Sequence, residues 1–126
     1  MSSNGSTPPN LHEVTLLNDL IEHLGHNHFG HSLLYFYAPW AEQCRATDGV
    51  VTELAKMNGK CQFWRISAED FPEVAAQYSI RAVPAFVLVG LGGNVEGRVD
   101  GVKPAELTKL VLSCSKPEPT AQSLDE

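Results

Sequence analysis

The chemistry available to this chain is concentrated at one thiol. Cys44 closes the run Pro39-Trp40-Ala41-Glu42-Gln43-Cys44, which follows the aromatic stretch Tyr35-Phe36-Tyr37. A thiolate is a nucleophile and a metal ligand. Two thiols spaced Cys-x-x-Cys could exchange a disulfide, the first attacking and the second resolving the mixed disulfide. Here the first of those two positions is Ala41. The stretch therefore poses a choice between a redox enzyme that works with one thiol and a redox fold that has lost its chemistry.

Other reactive side chains are sparse. Cys61 and Cys114 complete an odd set of three cysteines, which is neither a secreted disulfide framework nor a zinc ribbon. Cys61 is expected to open a strand and Cys114 to end a helix, both as structural residues. His23, His26, His28 and His31 fall in "HLGHNHFGH". Imidazoles this dense can hold zinc or nickel, but no cysteine or acid lies within the run to complete a site. Gly25 is expected to break the helix there, so the run reads as a polar helix end and loop, and no metal site is assigned. Glu42-Gln43 and Glu69-Asp70 read as solvated. No paired carboxylates or Ser–His–acid pattern is visible, and Gly90, Gly92 and Gly93 sit in a strand-to-strand turn rather than a phosphate loop.

The elements that must position Cys44 follow from periodicity. Leu11, Val14, Leu17, Leu20, Ile21 and Leu24 recur at spacings of three and four, predicting a helix from Leu11 to Gly25. "SLLYFYA" predicts a strand buried on both faces and ended by Pro39. A helix follows from Ala41 to about Met57, with Val50, Val51, Leu54 and Met57 on its buried side and Gly49 weakening it. "CQFWRISA" predicts a strand and Phe71–Tyr78 a short helix with Pro72 in its first turn. "AFVLVG" and "VEGRVDG" form a hairpin about Gly92-Gly93-Asn94, and Pro104 opens a last helix carrying Leu107, Leu110 and Val111. The order α-β-α-β-α-β-β-α predicts an α/β protein with a mixed central sheet and helices on both faces.

The 126 residues suit one domain, 43% hydrophobic and 19% charged. Residues 1–10 are expected to be a disordered leader, 11–115 the domain and 116–126 a linker or tail. A net charge of −6 argues against a nucleic-acid or acidic-membrane surface. No apolar run reaches a membrane span, and Met1–Asn10 lacks a signal-peptide pattern. A soluble intracellular protein is expected.

Three segments carry a resemblance. "FYAPWAEQC" resembles the strand and active-site turn of thioredoxins, "SAEDFPEVAAQYSIRAVPAFVLV" the approach to their cis-proline, and "GNVEGRVDGVKPAELTKLV" their final hairpin and helix. The order is similar to the thioredoxin-like fold without its optional first strand. Trp-Ala-x-x-Cys in place of Trp-Cys-x-x-Cys resembles the N-terminal thioredoxin-like domain of multidomain monothiol glutaredoxins, the PICOT-like or glutaredoxin-3 family. In that family, glutaredoxin domains with a Cys-Gly-Phe-Ser motif follow the linker and hold a glutathione-ligated [2Fe-2S] cluster. No such motif is present here, so the resemblance implies no cofactor in this domain.

The resemblance puts Ala41 at the attacking position and Cys44 at the resolving one. Methyl cannot replace a thiolate, so dithiol reductase activity is not expected. Tyr35 takes the place of the family's buried Asp, and Gly49 that of a mid-helix proline. Pro84 aligns with the cis-proline, which leaves the backbone of Val83 to pair with an extended peptide, and Trp40 would offer an apolar platform beside it. The implied function is a docking or targeting module, with a protein partner at Trp40, Val83 and Pro84, in iron–sulfur cluster assembly, iron homeostasis and cell redox homeostasis. The implied compartments are the cytoplasm and the nucleus. The alternative is a monothiol, glutathione-dependent oxidoreductase using Cys44.

Overall fold

Strand patterning in this chain follows from burial on two faces. A computed structural model describes residues 8–26, 31–59, 61–90 and 93–115. Within β2 (Ser32–Tyr37), Leu33 and Tyr35 pack on one side of the sheet and Leu34 and Phe36 on the other. Alternate side chains leave a strand in opposite directions, so a run apolar at every position must be covered twice. The cover comes from α2 (Glu42–Met57) and α4 (Pro104–Ser115) on the Leu33–Tyr35 side, and from α1 (Leu17–His26) and α3 (Pro72–Gln77) on the other.

The sheet is five-stranded in the order β1-β3-β2-β4-β5. β1 (Leu11–Glu13), β3 (Gln62–Ser67) and β2 run parallel. β4 (Ala85–Val89) and β5 (Val95–Asp100) form an antiparallel hairpin, β4 lying antiparallel to β2. Gly93 and Gly101 take φ of 82° and 89°, left-handed values open to glycine, at the two ends of β5. The α/β class and the mixed sheet covered on both faces are as the sequence implied.

Two expectations are corrected. Leu11–Glu13 is a strand, not the first turn of α1, so the optional first strand is present. A spacing of three from Leu11 to Val14 to Leu17 is met as well by a short strand leading into a helix, and β1 is fixed by pairing with Phe63, Trp64 and Arg65, about fifty residues away. Second, α1 continues through Gly25 to His26, so that glycine does not end it.

The leader boundary also moves. Asn10 is buried, and its Nδ2 lies 2.9, 3.1 and 2.9 Å from the carbonyl oxygens of Ala55, Asn58 and Cys61. The end of α2 leaves carbonyls short of helical partners, and the Asn10 amide adds a donor to Ala55 in the last turn, to Asn58 at the C-cap and to Cys61 just beyond it. Folded structure thus reaches at least to Pro8, whose C=O accepts from the Leu11 N–H at 3.0 Å. Residues 1–7 and the 116–126 tail lie outside the described residues.

Candidate functional site

β2 ends at Tyr37, a turn at Pro39-Trp40 follows, and α2 begins with Ala41 at its N-cap in extended geometry. A methyl cannot accept the free N–H groups of a first turn, and Ala41 makes no capping bond. Its carbonyl receives the Cys44 N–H at 3.1 Å, which sets Cys44 one turn in. Ala41 is 4% and Cys44 2% exposed, packed with Ala38 and against Tyr37 and Val83. Burial pushes the Cys44 thiol pKa up. The Asp48 carboxylate adds to that, while a backbone contact at Ala38 and the Arg65 guanidinium oppose it. The thiol is therefore held protonated and covered.

Tyr35, at the position of the family's buried acid, is a donor. Its hydroxyl lies 2.7 Å from Asp48 Oδ1 and 2.9 Å from the Cys44 carbonyl oxygen, with one proton between two acceptors. Its ring stacks on Phe86 at 5.0 Å. Burial first, then the Asp48 hydrogen bond, raises its pKa far above the ordinary tyrosine value. Arg65 closes the network, with Nη1 3.3 Å from Glu13 Oε1 and Nη2 3.6 Å from Asp48 Oδ2. The same guanidinium lies 4.3 Å from the Tyr37 ring centroid. Asp48 was not singled out in the sequence. Its one signal is the i, i+4 spacing from Cys44, which places both on one helix face.

Beyond Ala41 opens an apolar groove of about 650 Å³, lined by the start of α2, by Ala68-Glu69, by one side of α3 (Pro72, Ala75 and Ala76) and by the segment Ile80–Val83. That segment is held by the end of α3. Ile80 N–H bonds the Ala75 carbonyl at 2.8 Å and Ser79 N–H that of Ala76 at 3.0 Å, a Schellman stop. Ser79 supplies the left-handed residue at φ 56°, and Arg98 from β5 donates to the Tyr78 carbonyl at 2.8 Å. The Val83–Pro84 bond is cis. Among the described residues no backbone hydrogen bond engages Val83.

The sequence-predicted residues divide. Trp40, Ala41 and Val83 line the groove. Trp40 is 68% exposed, and its indole N–H donates to Glu69, so Glu69 is a partner rather than a purely solvated acid. Pro84 is buried behind Val83, with its carbonyl accepting from Gly101 N–H at 2.8 Å, and Cys44 lies beneath the groove rather than in it. Cys61 is buried. His31 pairs with Glu96 at 3.2 Å. His28, the side chains of His23 and His26, and that of Cys114 lie outside the described residues.

A mixed sheet in this order, a helix starting at Trp-Ala-x-x-Cys and a facing cis-proline loop define a thioredoxin-fold domain. Residues 19–113 match the thioredoxin family, and the chain belongs to it. It is 36% identical over 102 residues to glutaredoxin 3 of Danio rerio, covering 81% of this chain and 31% of that protein. It is 36% identical over 99 residues to monothiol glutaredoxin-4 of Schizosaccharomyces pombe, covering 79% of this chain and 40% of that one. The chain thus spans less than half the length of these relatives. A thioredoxin from Nicotiana alata matches with a TM-score of 0.80 and 24% identity over 92% of this chain and 100% of its own, which shows the shared fold. The expected kinship with monothiol glutaredoxins is met.

Proposed function

We propose that this domain is a docking or targeting module of a monothiol glutaredoxin, serving iron–sulfur cluster assembly and cell iron and redox homeostasis in the cytoplasm and nucleus. It binds a protein partner in the groove beside Trp40 and Val83 and does not reduce disulfides. The observation that carries the reading is the state of the two motif positions. Ala41 has no nucleophile, and Cys44 is 2% exposed with its pKa raised. A thiolate attacks and a thiol does not. Binding needs neither: Val83 offers a free backbone edge to an extended segment, the mode by which peptides add to sheets. No cofactor is assigned to this domain. The cluster implied by the kinship belongs to glutaredoxin domains not contained in this chain.

The rival, a monothiol oxidoreductase that forms a mixed disulfide between Cys44 and glutathione, needs Cys44 exposed and ionised. The test is insulin reduction and glutathione-disulfide exchange by the protein, a Cys44→Ser control and Ala41→Cys. The native protein is expected to match the Cys44→Ser control in both assays, with reductase turnover emerging only in Ala41→Cys. Glutathionylation of the native protein that disappears in Cys44→Ser establishes the rival instead.

A further inference from the structure

Two charged residues line the groove, Glu69 and Arg81. Glu69 is engaged by the Trp40 indole. Arg81 is exposed and joins no ion pair among the described residues, whereas Arg65 and Arg98 are both tied to carboxylates. In a chain of net charge −6, an uncommitted guanidinium on the wall of an apolar groove is the group most readily matched by a carboxylate, which it can grip with two parallel N–H bonds. The remaining lining includes Ala38, Ala41, Ala68, Ala75, Ala76 and Ala82. Methyl groups leave the floor wide, so a bulky apolar side chain can fill it and release water from both surfaces.

We propose that the occupant of the groove is an extended protein segment that seats a large apolar side chain on the alanine floor and pairs a carboxylate with Arg81. This rests on the docking reading above and names the chemistry of the partner.

Selection from a displayed random-peptide library on the immobilised protein tests it, repeated on Arg81→Glu and on Ala76→Trp. Ala76 lies on the exposed side of α3, so its indole fills the groove while leaving the core untouched. Circular dichroism confirms that each variant is folded. The native protein is expected to enrich peptides carrying a large apolar residue and an Asp or Glu, Arg81→Glu to enrich Lys or Arg instead, and Ala76→Trp to enrich neither. For a selected acidic peptide, Arg81→Gln weakens binding by about two- to fivefold, the range of an exposed ion pair. Enrichment that Ala76→Trp abolishes but that shows no charge preference overturns the Arg81 pairing and leaves the docking groove standing. No enrichment, or peptides that bind Ala76→Trp equally well, overturns both.

Discussion

Burial raises the Cys44 thiol, and Asp48 acts in the same direction from the next turn of α2. Replacing Asp48 with Asn keeps an acceptor for the Tyr35 hydroxyl and removes the charge. Asp48→Asn is therefore expected to lower the Cys44 pKa and speed its labelling. The rate of iodoacetamide alkylation against pH, resolved by site with mass spectrometry, measures both. An unchanged or higher pKa in the variant contradicts the assignment of Asp48. At this scale the sequence was half legible. On the thioredoxin resemblance, Ala41 and Tyr35 stand at the places of a nucleophile and an acid, and residue type alone shows the difference. The carboxylate that returns at Asp48, and the Arg65 that ties it to Glu13, come from three separate elements. Only the register of β1 on β3 brings Glu13 beside Arg65.

Helix α2 carries a weakness and a reinforcement. Gly49 is an exposed residue inside it, and a methyl added there meets nothing within 4 Å. Gly49→Ala should raise stability by about 1 kcal/mol, seen as a higher urea midpoint at unchanged slope. The reinforcement is Asn10, whose two amide protons serve three carbonyls at the end of α2. Asn10→Ala strips a hydrogen bond from each of those carbonyls, although Ala55 and Asn58 still accept from the N–H groups of Asn58 and Cys61, and should cost about 1–3 kcal/mol in the same measurement. The lengths and order of most elements were readable, since Pro39, Pro72 and Pro104 punctuate them. β1 was not, because three residues carry too little pattern and their pairing partner is remote. Asn10 was hidden for a related reason: a lone polar residue after two prolines has the local composition of a tail, and its partners are more than forty residues away.

Across the whole molecule the titrating groups beneath the motif share a sign. Burial and the Glu13 hydrogen bond push the Tyr37 phenol up to about 12, and Tyr35 is raised further. Cys44 is raised as well. Each folded-state pKa exceeds its unfolded value, so the unfolded chain releases its proton first as pH rises. The stabilisation they contribute is whole below about pH 8.5 and is lost through the alkaline range, where free thiols and then phenols ionise. Urea midpoints should hold level from neutrality to about pH 8, then fall steeply above about pH 10, and Tyr35→Phe should make that fall shallower. The layered α/β plan was legible from the doubly apolar strands, because only a sheet covered on both faces can satisfy Leu33-Leu34-Tyr35-Phe36. The groove was legible as a location, from Trp40 and Val83, and its alanine floor was not. Those methyl groups lie on different elements, and the turn after α3 is what assembles them.

The amide of Asn10 also makes the cohesion of the fold depend on one side chain carrying no charge. An acid at this position replaces a donor by a carboxylate that faces three carbonyl oxygens. That exchange turns the attraction between the start of β1 and the end of α2 into repulsion, without touching the thiol or the groove. Asn10→Asp is therefore expected to lower the urea midpoint further than Asn10→Ala does, with every cysteine still reduced.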